Sequence, residues 1–261
     1  MSRYLIADFV AEFDIKYNRF KKLAEPFLLH RKLPEIGREN EVWQHKSVCS
    51  NCASRCSINR QTDFSFSVSQ NEIEKINAKM LFKSGIEGAE EFAYSKVFNR
   101  AIIPYGGMLI HSSAILVNGG AYLFSGVSGL GKSTHTRLWT KAFGNEVEYI
   151  NDDKPVIRIY DNKCIAFGTP FDGGSGIANN IFAPLKAVIF LERSQNNEIR
   201  KADKREVAGR LYQNTIHSLD KSTAEHMLKN FDKLISMTDF YILNCNTDIS
   251  SAYVAREGLK I

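Results

Sequence analysis

The chain has 261 residues, of which 44% are hydrophobic, 24% charged and 11% aromatic, enough apolar material for one large domain or one domain with a smaller companion. Its formal charge of +5, from 34 basic and 29 acidic residues, is dispersed along the sequence. That excludes nucleic acid and an anionic membrane as default partners, while an anionic small molecule suits it.

The opening stretch MSRYLIADFVAEFDI carries Asp8, Glu12 and Asp14 within its apolar pattern and does not read as a secretory signal. It predicts a strand with Phe9, Ala11, Phe13 and Ile15 on one face. A helical stretch over 17–29 follows, interrupted at Pro26, then a polar, Cys-containing run over 31–62 that reads as loops. DFSFSVS (63–69) alternates as a strand, and Ser69 opens a capping-box pattern leading a helix through Met80.

From Ala89 onward, Phe92, Val97, Phe98, Ala101 and Ile102 predict an amphipathic helix. The segment between Arg100 and Lys132 contains no Lys, Arg, Asp or Glu, but Pro104, Gly106, Gly107, His111 and Asn118 break it. A membrane-spanning helix needs roughly 20 largely apolar residues in a row, so these short runs read as buried strands, MLIHSSAILV and AYLFS. The expectation is a soluble, cytoplasmic protein without a membrane partner.

A helix over 133–143 comes next, then the strand EVEYI ending at NDD. PVIRIY, CIAFG and LKAVIFLE follow as strands. Helices over about 205–219 and 222–237 come after them, the second capped at Ser222 and burying Ala224, Met227, Leu228, Phe231, Leu234 and Ile235. DFYILNC is read as a last strand. Alternating strands and helices predict an α/β fold. The division expected is an N-terminal α+β region over 1–85, holding the Cys-containing loop, and a phosphate-loop domain over 86–261.

FSGVSGLGKST holds the chemistry. Gly126, four residues, then Gly131, Lys132 and Ser133 fit the phosphate-binding loop. Its glycines let backbone N–H groups turn onto phosphate oxygens, and the following helix points its positive dipole end at the anion. Gly126, Val127, Ser128, Gly129, Leu130, Gly131, Lys132, Ser133 and Thr134 are therefore the candidate nucleotide-binding residues. Lys132 would bridge the outer phosphates, and the Ser133 hydroxyl would ligate Mg²⁺. About twenty residues on, Asp152 and Asp153 end an apolar strand, where one carboxylate can hold the metal and the other accept a hydroxyl proton.

HSSAILVNGGAYLFSGVSGLGKST…NDD and GTPFDGGSGIANNIFAPLKAVIFLER resemble the HPr kinase/phosphorylase family and its relatives, the ATP-dependent phosphoenolpyruvate carboxykinases, over about residues 108–193. The resemblance implies a phosphate-loop core of that type, ATP and Mg²⁺ as cofactors, and phosphorylation of a serine on a protein or peptide. It implies Asp152 as the base, Asp153 in the metal shell and His111 beside them. Two positions depart from the family: Thr134 stands where the usual kinase has Glu, and the acid of the later glycine-containing stretch is missing unless Asp172 replaces it. GGSG (173–176) reads as a mobile substrate loop, and Arg193 as a neutraliser of transferring charge. The related kinases assemble into hexamers, which leaves a homo-oligomer open.

His45, Cys49, Cys52 and Cys56 lie within twelve residues, a weak zinc pattern without its usual second pair; reduced thiols in a loop are the alternative. Cys164 and Cys245 read as core, and His135 and Arg137 as exposed helix residues. The expected activity is thus transfer of the γ-phosphate of MgATP to a hydroxyl, that of a serine of a protein or peptide. The alternative is an ATP-binding regulatory protein with weak or no transfer, favoured by Thr134.

Overall fold

Residues 2–29, 63–80, 82, 84–215 and 220–261 are described by the computed structural model; the His45, Cys49, Cys52 and Cys56 pattern lies outside them. The chain opens with β1 (Ser2–Ile6) and β2 (Phe9–Phe13). The single strand expected here is instead a hairpin, because Ala7 and Asp8 both take positive φ, 50° and 65°. Two left-handed residues in succession make the tight turn that suits the twist of antiparallel strands. Asp8 also accepts a hydrogen bond from the Tyr160 hydroxyl at 2.8 Å, which ties the turn to the rest of the chain.

Helix α1 (Asn18–Ala24) runs into a 3₁₀ turn over Glu25–Phe27, with Pro26 in its first turn. Strand β3 (Asp63–Phe66) adds to β2 in parallel, giving a three-stranded sheet among the described residues. In α2 (Gln70–Lys79) the Ser69 hydroxyl accepts from the Glu72 N–H at 3.2 Å, as the capping pattern predicts. Helix α3 (Ile86–Ile102) buries Tyr94, Phe98 and Ile102, and with them Glu90 and Glu91.

Among the described residues the second sheet has nine strands. They are β4 (Gly107–Leu109), β5 (Ser112–Val117), β6 (Gly120–Ser125), β7 (Val147–Asn151), β8 (Val156–Ile159), β9 (Cys164–Phe167), β10 (Phe182–Arg193), β11 (Glu198–Lys201) and β12 (Asp239–Cys245). The stretch 108–117, expected as one strand, breaks at Ile110–His111: β4 pairs with β8, whereas β5 pairs with β6 and β7. At the break the His111 N–H donates to the Asn214 carbonyl at 2.7 Å. Long β10 joins the halves, pairing antiparallel with β9 at its start and parallel with β6 and β12 further on.

Four helices cover this sheet: α4 (Lys132–Phe143), α5 (Lys204–Gln213), α6 (Lys221–Met237) and α7 (Ser250–Leu259). The alternation along β10 assigns them to faces. Ala187, Ile189 and Leu191 join Trp139 of α4 and Ala252 and Ala255 of α7, while Val188 and Phe190 join Leu211, Met227, Phe231 and Leu234 of α5 and α6. Strand β11 and helix α7 extend the predicted set. The cap of α6 is Asp220 rather than Ser222, its carboxylate accepting from the Thr223 N–H at 2.8 Å. Leu228, expected in the core, is 55% exposed, because Asn230 shares the buried face with Phe231 and Leu234.

A third cluster joins Phe9, Phe13 and Phe20 to Tyr94 and Phe98 of α3 and to Val156, Ile165, Phe167 and Phe171. Apolar packing is therefore continuous across residue 85. The architecture is a mixed α/β fold, and the described residues contain no helix long and apolar enough to cross a membrane.

Candidate functional site

Strand direction creates the site. Strands β6, β10 and β12 are mutually parallel; β7 runs antiparallel to β5, which runs antiparallel to β6, so β7 shares their direction. Four carboxyl ends thus meet at one edge, the place where open α/β sheets receive ligands. They deliver the 126–131 loop, Arg193, Cys245–Thr247 and Asn151–Asp153. Strand β5 begins at the same edge and supplies His111, whose carbonyl accepts from the Ser125 hydroxyl at 2.9 Å.

The loop leaves β6 and enters α4 directly at Lys132. Gly129 and Gly131 take φ of 77° and 107°, a region open to glycine and strained for other residues. Gly131 is left-handed at the helix N-cap, and no side chain caps α4 there. The first-turn N–H groups therefore face the loop with the helix dipole behind them, a ready anion site. Val127, Ser128 and Gly129 are exposed, while Leu130 packs inward.

Lys132 is buried, its ammonium donating to the carbonyls of Gly126 at 2.9 Å and Val127 at 3.3 Å. Burial pulls its pKa down to about 8, against the opposing pull of Asp153 and Asp152. Arg193 is exposed, and its guanidinium donates to the Gly129 carbonyl at 2.6 Å, bracing the loop. Two cavities flank this brace. One, of about 350 Å³, lies between α4 and the Cys245–Thr247 turn. The other, of about 390 Å³, lies toward Arg210 and Asn214.

The two carboxylates occupy different surroundings. Asp152 is 5% exposed and accepts from the Ser113 hydroxyl at 2.5 Å, which in turn contacts the Thr136 hydroxyl at 2.8 Å. Its Oδ2 is buried without a hydrogen-bond partner. Burial raises its pKa, and hydrogen bonds from Ser113 and Ser133 oppose the rise. Asp153 pairs with Lys154 and, through Oδ1, with His111 Nε2 at 3.2 Å. Burial would raise its pKa, but Lys154 and His111 together hold it well below the carboxylate range. Asn151 shapes the turn by accepting from the N–H groups of Asp153 and Lys154 at 2.9 and 2.7 Å.

Glycine loop 173–176 lies against this turn: a Cβ on Gly173 would meet the Asp153 Cγ at 2.5 Å. Asp172, expected to face a substrate, instead turns inward and is 1% exposed. Its carboxylate accepts from the N–H groups of Gly174, at 3.0 Å, and Gly176, and pairs with Arg19. His135 also departs from expectation. It is buried, accepts from the Trp139 indole at 3.1 Å, and has its pKa lowered by burial to about 4. Cys164 is buried as expected, and Cys245 lines a cavity wall. Ser113, Lys154 and Glu91 were not foreseen as site residues. Ser113 and Lys154 adjoin the quoted motifs, whereas Glu91 carries no signal in the sequence.

The arrangement can receive a polyphosphate at the loop and a hard cation beside it. The Ser133 hydroxyl and the unpartnered Asp152 Oδ2 are oxygen donors of the kind that suits Mg²⁺. Among the described residues no group of three His, Cys, Asp or Glu forms a self-contained cage. That fits a cation held by one or two protein oxygens together with substrate phosphates.

No family model matches the chain, and no curated protein matches it. Among solved structures it is similar to the Hpr(Ser) kinase/phosphatase from Coxiella burnetii. The TM-score is 0.35 at 12% identity, over 57% of this chain and 95% of that one. A likeness at that level carries no weight for function, which rests on the side chains above.

Proposed function

We propose that the protein is an ATP-dependent phosphotransferase that moves the γ-phosphate of MgATP to a hydroxyl, with a serine of a protein or peptide as acceptor. One observation carries this reading: a glycine loop with a buried lysine faces a carboxylate pair and a histidine at the shared carboxyl end of β6, β7, β10 and β12. Binding alone would need only the loop.

In this reading the loop N–H groups and Lys132 hold the phosphates, and Arg193 keeps the loop in shape. Mg²⁺, when bound, supplies neutralisation of charge on the phosphate oxygens. Ser133 and Asp152 would hold it, since Asp152 is the carboxylate beside Ser133, buried, with an unpartnered oxygen. Asp153, bonded to His111 at 3.2 Å, orients the incoming hydroxyl, whose proton would leave to it only late, once the forming P–O bond has made that hydroxyl acidic. These roles reverse the order that the family resemblance implies for the two aspartates. Transfer would depend mainly on positioning and charge neutralisation.

The test is incubation with Mg²⁺ and γ-labelled ATP against a library of serine-containing peptides, beside Lys132→Ala, Asp152→Asn and Asp153→Asn. Label reaching an acceptor only with intact Lys132 is the expected result. Loss of Mg²⁺ dependence in Asp152→Asn, with metal-dependent nucleotide binding retained in Asp153→Asn, supports the reversed roles. The opposite pattern restores the order from the resemblance. The first turn of α4 carries no acid, and this favours a second reading, an ATP-binding regulator. Tight ATP binding without transfer to any acceptor would point to it.

A further inference from the structure

Outside the loop and the aspartates, one buried polar cluster is not explained by nucleotide binding. Glu91 of α3 is 2% exposed and pairs with Arg19 of α1, and its Oε1 accepts from the Gly173 N–H at 2.8 Å. Arg19 extends its second nitrogen to Asp172, which ties down the Gly174 and Gly176 N–H groups. Gly173 in turn packs on the Asp153 carboxylate, close enough that a Cβ would overlap it. Lys154, the partner of Asp153, lies within electrostatic reach of Glu91 and over the Phe92 ring at 5.9 Å. Thus α1 and α3 reach the reaction face through Glu91, the glycine loop and Lys154.

A buried carboxylate is costly unless its hydrogen bonds are satisfied. What the carboxylate adds is a fixed acceptor for the Gly173 N–H in a run of flexible glycines, of which Gly173, Gly174 and Gly176 have φ of 61°, 97° and 82°. Chain of that kind adopts many conformations unless held, and misplacing reacting groups by about 1 Å can cost about 100-fold in rate.

We propose that Glu91 is a positioning residue for phosphoryl transfer: with Arg19 it clamps the 172–176 loop against Asp153 and so fixes the carboxylate that meets the acceptor hydroxyl. This rests on the phosphotransferase reading. Its structural part has a readout of its own.

Glu91→Ala removes the acceptor, and Glu91→Gln keeps an oxygen for the Gly173 N–H. With MgATP and the serine-peptide library, Glu91→Ala is expected to lower kcat at least tenfold while the KM for ATP stays within about threefold. Glu91→Gln is expected to recover much of that loss. Hydrogen exchange over 171–177 should quicken at least tenfold in Glu91→Ala and much less in Glu91→Gln. Because Glu91→Ala also touches the core, Gly173→Ala provides a second variant on an exposed residue, where the added Cβ meets the Asp153 carboxylate and is expected to lower kcat similarly. Unchanged exchange over 171–177 in Glu91→Ala, or parental kcat in Gly173→Ala, overturns the proposal. A parent protein that binds ATP but labels no acceptor defeats the phosphotransferase reading instead, and the exchange measurement then decides the clamp alone.

Discussion

At the scale of single residues, burial sets the chemistry. Glu91 has its pKa raised to about 7, because burial outweighs the pull of Lys154, the Gly173 N–H and Arg19. The folded protein therefore keeps a proton that the unfolded chain gives up near its ordinary 4.5. The contribution of Glu91 to stability must fall as pH rises through roughly 4.5 to 7 and then level off. Glu91→Gln removes that dependence, so its melting temperature relative to the parent should rise between pH 5 and pH 8. A constant difference across that range would show that the carboxyl titrates normally. The Lys132 ammonium lies on the loop's own carbonyls, from which it can turn to phosphate. Lys132→Ala is expected to weaken ATP binding at least tenfold by calorimetry, with little loss of stability.

At the scale of elements, caps and turns fix where each helix and strand starts. Asp203 and Glu206 form a reciprocal capping box at α5, the Asp203 carboxylate accepting from the N–H groups of Arg205 and Glu206 at 2.9 Å. Asp203→Ala should cost about 1 kcal/mol, a fall of about 2–4 °C in melting temperature for a protein near this size. Arg210 of α5 and Asn214 just after it line a cavity beside the loop. In the glycine loop, Gly131→Ala places a side chain at φ 107°; it should weaken nucleotide binding more than it lowers stability, because the strain falls on the turn that aims the α4 N–H groups.

At the scale of the whole molecule, the three-stranded N-terminal sheet and the nine-stranded sheet share packing through α3. Phe13 touches Phe20, Phe66, Tyr94, Phe98 and Phe171. Phe13→Ala should cost about 3–5 kcal/mol. Its unfolding, followed by both near- and far-ultraviolet circular dichroism, is expected to remain one coincident transition. Two separated transitions would show that residues 1–85 and 86–261 unfold as independent units. Arg19 links the same two regions at the reaction face, so loss of the N-terminal packing should also lower transfer.

The sequence by itself determined the local features. Gly126, Gly131, Lys132 and Ser133 specify a strand–loop–helix turn because the backbone angles and the helix dipole are properties of that short stretch. Ser69 before Glu72, Pro26 and the alternation of Phe9, Ala11 and Phe13 were legible for the same reason. Where a feature depended on context, local pattern was insufficient. The Ala7–Asp8 turn lacks the usual glycine, and its Asp8 carboxylate meets Tyr160 from far along the chain. The break at His111 follows from pairing with distant strands. His135 on α4 is buried between Phe124 of β6 and Ser251 of α7, a helix unrecognised in the sequence. Only the tertiary structure decided that Asp152 lies beside Ser113 and Ser133 while Asp153 faces His111, and that Arg19, Glu91 and Asp172 meet behind a glycine loop. Such groups are brought together by strand direction and packing across some 70 to 150 residues of chain, and one local window of sequence holds neither.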